Sequence, residues 1–369
     1  MTKEARLPAL DALRGIAALA VCVSHVTFFW AETSHVTGLH LKVLRAFMMW
    51  GHTAVILFFA LSGFVLTLNH SHRRLPYTAF LAIRIFRIYP PYLVVLGLVT
   101  LAIIALQPVV LPWMTSFVRD TMPEMSVGGF ADAAALVTTS DSHASFNVVT
   151  WSLVHEMRFS IAFPLMAACL LRSRRAFLAI SLGVYILTLW LIPQAGLSPF
   201  YMLSDNIWAS VLITIHYLPC FALGMWAAHA YLTRDNLAMP IAVQALGIVF
   251  TLLVPRYVHD DLLISAWATA LIMIAAYPSR FASFLKIRPL TFLGRISYSL
   301  YLIHFPLVWF LFFILMGHLP VFVIALISLA GSLAAGTALH FTVEGPCAQA
   351  GKAWLKRRAP KGEGFTLTA

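Results

Sequence analysis

Charge is what this 369-residue sequence has least of: 11% of its residues are Asp, Glu, Lys or Arg, against 61% that are hydrophobic. A water-soluble domain cannot be clothed with so few charges, and a mean hydropathy of +0.86 places the whole chain in the membrane class. Acidic residues are the scarcer sign, 14 against 25 basic. Cysteine is sparse too. Cys22, Cys169, Cys220 and Cys347 stand apart without CxxC spacing, which excludes a disulfide framework and a thiolate zinc site. His70 and His72 in "NHSHRR" have no carboxylate or thiol at ligand spacing, so no metal is expected. Low-complexity linkers, sustained repeats and an appended soluble domain are also missing. "LAVC" at 19–22 resembles a lipoprotein cleavage site only faintly, because Arg14 breaks the apolar core that a signal peptide requires.

What the chain does have is long apolar runs. Segments of about 20 residues, enough to span a bilayer, fall near 8–30, 51–70, 88–107, 146–171, 176–193, 207–231, 238–254, 262–277, 290–316 and 320–343. The expected fold is therefore all-α, a polytopic membrane bundle of about ten transmembrane helices. Basic residues give an independent check, because cytoplasmic loops collect them. With both termini in the cytoplasm, the inner segments plus Arg14 and Arg295 at the inner helix ends hold 20 of the 25 basic residues. A pI near 9.8 built this way reflects topology and anionic lipid rather than nucleic acid. Residues 1–346 form the expected transmembrane domain and 347–369 a basic cytoplasmic tail. The longest outer loop, about 108–145, is the natural place to meet something extracytoplasmic.

Ionisable residues inside apolar runs cost roughly 2.5–3.5 kcal/mol each on insertion scales, so each one asks for a reason. In "LDALRGIAALAVCVSH", residues 10–25, Arg14 and His25 are eleven apart, which puts them on one helix face about 16 Å from each other along the axis. Asp11, three residues before Arg14, stands close enough for an ion pair. Snorkelling to the headgroups is the bland alternative for the arginine. In "RIFRIYPPY", Arg84 and Arg87 lie one turn apart and could form a bidentate receptor for phosphates, or act simply as inner-face anchors. "WSLVHEMRFSIAFP" buries His155, Glu156 and Arg158. Glu156 pairs there with Arg158, or meets His25 from another helix and orients it as a general base. "FLGRISYSLYLIHFPL" adds the deep imidazole His304, with Tyr298 among hydroxyls suited to interhelical bonds. His340 and Glu344 in "HFTVEGP" read as interfacial. Small residues in "GHTAVILFFALSGFVL" predict close helix packing.

Together these stretches resemble the acyltransferase-three family of integral-membrane O-acyltransferases, common in bacteria. The resemblance is carried by Arg14 and His25 with ten residues between them, and by "FFALSGFVL", "RIFRIYPP", "WSLVHE" and "FLGRISYSLYLIH", in order from residue 10 to about 346. The sequence departs from it at "EMRFS", where many relatives carry a second polar residue and a tyrosine and this chain has Met157, Arg158 and Ser160. Some relatives carry an esterase-like domain after the membrane region, for which the 26 residues of 344–369 are too few.

The resemblance implies transfer of an acyl group, usually acetyl from acetyl-CoA, to a hydroxyl of a cell-envelope glycan or lipid-linked saccharide at a bacterial inner membrane. On that reading Arg14, Arg84 and Arg87 hold the anionic donor. His25 acts as general base or becomes transiently acylated, Glu156 balances it, and Asp11, His304 and Tyr298 give support. The competing expectation is a proton-coupled transporter or glycolipid flippase using His25, Glu156 and His304 as a relay. Internal symmetry would favour that, and none is visible. A non-catalytic assembly subunit is a third reading. Oligomeric state has no sequence signal.

Overall fold

Lipid offers no partner to a backbone N–H or C=O, so helix is the one local structure open to isolated apolar runs of this length. The computed structural model describes residues 7–33, 38–72, 75–124, 126–138, 146–197, 206–233 and 260–358, with isolated positions 204, 244, 247, 249, 253, 254 and 258. In chain order come α1 (Pro8–Thr33), α2 (Gly38–Met48), α3 (Trp50–His72), α4 (Tyr77–Leu106), α5 (Ser116–Asp120), α6 (Val127–Ala135) and α7 (Trp151–Arg172). There follow α8 (Arg174–Gln194), α9 (Ile207–Thr233), α10 (Asp261–Ala276), α11 (Arg280–Leu285), α12 (Arg288–Leu315) and α13 (Val321–Leu339). A π-helical turn (His340–Glu344) then leads into α14 (Gly345–Arg358).

Among the described residues, eight helical stretches are long and apolar enough to cross a membrane. They coincide with eight of the ten expected spans. The span expected over 262–277 is the shorter apolar helix α10. The one expected over 238–254 lies largely outside the described residues. The protein is a polytopic, all-α membrane bundle.

Glycines set the closest crossings. A methyl group on Gly15 of α1 would stand 2.3 Å from the Gly294 nitrogen of α12, so the two backbones touch where no side chain fits. Farther along, His25 meets His304, which makes α1 and α12 parallel. Helix α13 runs back against α12, with Gly331 beside Leu307 and Gly336 beside Leu300. The start of α1 and the end of α13 therefore share one end of the bundle, called the lower end below. Gly63 and Gly224 repeat the device between α3 and α9. An added Cβ there would fall 2.1 Å from the Phe221 carbonyl and 1.9 Å from the Ala60 carbonyl, which is the packing expected from the small residues of 51–66.

The segment expected as an outer loop behaves differently. The Tyr92 hydroxyl, midway along α4, donates to the Ala133 carbonyl at 2.7 Å, and Tyr89 donates to Ala135. The Asn147 amide reaches the Leu302 carbonyl, midway along α12, at 2.8 Å. Residues 133–138 and 146–149 thus lie at the middle of the bundle, and α7 begins there. Irregular backbone at such depth survives only when protein satisfies its polar groups. Arg158 completes that satisfaction from α7. Its guanidinium donates to the Val137 and Thr138 carbonyls beyond the end of α6, and to Ser210 and Thr214 of α9. A cation at a helix C-terminus is favourable in itself. Arg158 is accordingly partnered by carbonyls and hydroxyls, not by Glu156.

Candidate functional site

A cavity of about 450 Å³ lies between α1, α3, α4, α7 and α12, with the π-turn and α14 in its wall. Leu7, His70, Arg295 and Lys352 line it near the lower end. On each of three helices, the lining residue farthest from that end is Phe58 of α3, Ser152 of α7 and Tyr301 of α12. The cavity is a blind pocket reaching the middle of the bundle.

Its charges fall into two groups. Arg84 is buried and bound on both sides: Nη2 donates to Glu156 at 2.6 Å and Nε to the Ser160 hydroxyl at 3.1 Å. The Ser62 hydroxyl adds a bond to Glu156 at 3.2 Å. Each ion therefore has a counter-ion and a further hydrogen bond, which is what makes charge tolerable at that depth. Arg14 also faces the cavity, with Asp11 at 3.7 Å. Arg87 and Arg295 form the second group, basic side chains on the wall with no carboxylate at ion-pair distance among the described residues, and Lys352 lies on the same wall. The juxtaposition of Gly15 and Gly294 carries Arg14 and Arg295 to the same part of the rim.

Beyond the blind end stand two imidazoles. His304 Nδ1 lies 2.7 Å from the Tyr301 carbonyl and 3.2 Å from that of Leu300. A carbonyl only accepts, so this nitrogen carries the hydrogen. With one proton on the ring, His304 Nε2 is an acceptor, and it lies 3.0 Å from His25 Nδ1. The chain of roles leaves the hydrogen of His25 on Nδ1 and a bare lone pair on Nε2. The Phe305 ring meets His25 edge-on at 5.0 Å and fixes its plane. His25 is half-buried and does not line the cavity.

The structure thus brings Arg14, Asp11, Arg84, Arg87, Glu156 and Tyr298 to one cavity, and pairs His25 with His304 above it. Two expected juxtapositions differ. Glu156 faces Arg84, and the partner of His25 is His304. Arg84 is occupied by Glu156 and Ser160, so it does not join Arg87 in a free two-arginine fork. Tyr298 donates its hydroxyl to the Ile88 carbonyl at 2.7 Å and so ties α12 to α4 in the cavity wall.

Sequence reasoning missed several residues. Glu344, expected at the interface, is enclosed by protein. Its carboxylate is buried and accepts from Ser299 at 2.7 Å and from His340 Nδ1 at 2.9 Å, because the π-turn swings both ends of "HFTVE" onto the cavity wall. Lys352 and Ala348 also line the cavity, from a helix whose Gly351 packs on Phe86. On the far side of α3, Asp261 is buried between His52 Nε2 at 2.6 Å and His216 Nε2 at 3.4 Å. The neighbouring Asp260 caps α10 through the Leu263 N–H and receives the Tyr185 hydroxyl at 2.9 Å. "DD" before an apolar run was the available signal, a helix N-terminus. No group of three or more His, Cys, Asp or Glu able to hold a metal occurs among the described residues.

Comparison with known proteins identifies the family. The family model described as an acyltransferase domain matches residues 7–340. The acyltransferase MdmB of Streptomyces mycarofaciens is 27% identical over 387 aligned positions, covering 96% of this chain and 94% of the relative. The O-acetyltransferase OatA of Staphylococcus aureus strain NCTC 8325 is 25% identical, covering 94% of this chain but 58% of its own length. No solved structure matches. A match from Leu7 to His340 takes in most of the cavity lining, its arginines and both imidazoles, and the chain belongs to the acyltransferase-three family of membrane acyltransferases.

Proposed function

We propose that the protein transfers an acetyl group from acetyl-CoA to a hydroxyl of a cell-envelope glycan or lipid-linked saccharide, in a bacterial cytoplasmic membrane with its lower end in the cytoplasm. The observation that carries this reading is the blind cavity, basic at its rim and ending below the His25–His304 pair. A CoA thioester is anionic at one end and neutral along its arm. Arg14, Arg87, Arg295 and Lys352 suit the phosphates, and the more apolar interior beside Phe58 and Phe59 suits the arm. Arg84 and Glu156 neutralise each other and hold α4 against α7.

In the proposed reaction the acceptor oxygen attacks the thioester carbonyl while His25 Nε2 takes its proton. The C–S bond breaks, and the imidazolium returns the proton to the departing thiolate, leaving ester and CoA. His304 sets the tautomer that makes Nε2 the base. The name O-acetyltransferase on the relative OatA supports acetyl as the group moved.

The test is mass spectrometry of envelope glycans from deletion and complemented cells, with CoA release measured on purified protein. Loss of an acetyl ester on deletion and its return on complementation supports the reading. Unchanged glycans, with no CoA released in the presence of isolated envelope, overturn it.

A further inference from the structure

The basic lining of the cavity has a gap. Arg14, Arg87, Arg295 and Lys352 come from α1, α4, α12 and α14, whereas the described lining residues between Val65 and Ile83, from the end of α3 to the start of α4, include no carboxylate, lysine or arginine. That stretch presents an amide, an imidazole and a ring: Asn69, His70 and Phe80. Phe80 is held from behind. The Phe163 ring of α7, 1% exposed, stacks on it at 5.3 Å with 25° between the planes, and His70 meets Phe163 edge-on at 5.6 Å. With one face covered in this way, half-buried Phe80 has its uncovered side left for the cavity. The Asn69 side-chain amide is half-buried on the same wall and makes no hydrogen bond among the described residues. Its two donors and its acceptor are therefore open to whatever enters.

Phe80, Arg84 and Arg87 follow one another at i, i+4 and i+7, one face of α4, and all three line the cavity. The ring accordingly lies about 10 Å nearer the lower end than Arg87. A CoA thioester that enters acyl end first trails its groups in that order: the neutral arm, the diphosphate, the phosphorylated ribose and last the adenine. With the diphosphate at the level of Arg87, the adenine falls beside Phe80. We infer that the lower end of the cavity is a nucleobase subsite, in which Phe80 stacks on the adenine of the donor and the Asn69 amide pairs with its edge. An amide suits that edge, since its oxygen accepts from the 6-amino group while its N–H donates to the adjoining ring nitrogen. Stacking asks only for a free π face, which Phe80 has. The inference rests on the proposed CoA thioester donor and goes beyond it by naming the part of the donor that is read and the residues that read it. An acyl group carried on the phosphopantetheine of a carrier protein brings no base to this subsite, so the same two residues favour CoA over such a carrier.

The experiment is isothermal calorimetry of detergent-purified full-length protein with three ligands: CoA, etheno-CoA, whose base keeps its π face but loses the 6-amino edge, and 4′-phosphopantetheine, which has no base. The parent is expected to bind CoA about fivefold or more tightly than etheno-CoA, with 4′-phosphopantetheine weaker again. Asn69→Leu should bring CoA down to the level of etheno-CoA. Phe80→Leu, which keeps apolar bulk against Phe163, should weaken both nucleotides about five- to a hundredfold, the loss typical of a stacked base, and leave their ratio unchanged. Should either variant fail to fold, the other and the parent's own ranking still decide the matter. A parent that binds CoA no better than etheno-CoA or 4′-phosphopantetheine, or folded variants that keep the parent's values, overturns the inference and leaves the donor reading standing. No binding of CoA overturns both.

Discussion

Two buried ionic clusters flank α3, and they differ in what surrounds them. On one side Arg84 and Glu156 line a cavity of about 450 Å³, with Ser62 and Ser160 as further partners. On the other, Asp261 sits between His52 and His216, with Thr188 and Tyr217 packed around them, and none of these residues lines that cavity. Charge inside a membrane bundle is by itself a functional sign. The contrast refines that rule. A cluster on a cavity wall can exchange its partners for water or substrate, whereas one packed away from it is committed to the contacts it has. The packed cluster ties α3, α9 and α10 together through one carboxylate, and the cavity cluster ties α4 to α7 while facing open space. Burial marks where charge has been accommodated; the cavity marks where chemistry has room.

The largest effect separating the two should come from Asp261→Ala. It leaves two imidazoles without their shared acceptor, and breaking a buried pair from one side typically costs about 3–5 kcal/mol. Thermal unfolding in detergent should show a large drop, with CoA affinity of the remaining folded protein unchanged. A variant as stable as the parent, or one that folds normally but no longer binds CoA, would break the comparison.

Next comes His25→Gln, where the opposite split is expected: stability kept and transfer lost. The amide preserves a hydrogen bond toward His304 but cannot take a proton, and loss of general-base catalysis typically costs roughly a hundredfold or more in rate. CoA release with isolated envelope measures the rate, and calorimetry the donor affinity. Near-normal turnover in folded protein would remove His25 from the mechanism. His304→Gln tests the tautomer argument. It should slow transfer less than His25→Gln while leaving donor affinity alone.

The rim arginines should follow. Arg87→Ala or Arg295→Ala removes one charge-assisted contact, worth roughly 1.5–3 kcal/mol, so donor affinity should fall about ten- to a hundredfold with little change in stability. Arg84→Ala should do the reverse, because it strands Glu156. If Arg84→Ala proves stable and merely weak in CoA binding, Arg84 is a donor ligand after all and belongs with Arg87.

Much of the fold was legible because the cost of polar groups in lipid leaves few alternatives. Apolar length located the spans, and Arg14, Arg84, Glu156, His25 and His304 stood out as ionisable groups inside them. Partnerships were less legible. Helical angles left Glu156 open to Arg158 or His25, and its partner is Arg84, 72 residues away on another helix. Tyr301 was legible as one of the hydroxyls suited to interhelical bonds, and it makes such a bond, but its partner Ser152 gave no signal. Glu344 was read from its place near the end of the last apolar run, where the period of 3.6 residues could not anticipate a π-turn. Asp261 stands at the start of a short apolar run, where an acidic residue is ordinary helix-end chemistry. The depth of residues 133–138 was hidden because the tyrosines and the arginine that satisfy their carbonyls come from distant segments.

The smallest effects give the sharpest comparison, because one chemical change can be made on both sides of α3. Ser62→Ala removes a hydroxyl that donates to Glu156 at 3.2 Å. Glu156 Oε1 keeps Arg84 at 2.6 Å, and water from the cavity can replace the lost donor, so the cost should stay below about 1 kcal/mol. Thr188→Val also removes one hydroxyl while keeping the branched shape. That hydroxyl lies 3.0 Å from His216 Nδ1 and donates to the Tyr185 carbonyl at 2.8 Å, and both Thr188 and His216 are 1% exposed. Away from the cavity, loss of that partner leaves a buried ring nitrogen unsatisfied, which typically costs about 1–3 kcal/mol. Unfolding of the two variants in the same detergent should therefore rank Thr188→Val as the more damaging. Equal losses would mean that water reaches both clusters alike, and the distinction between a cavity wall and a packed brace would fall with it.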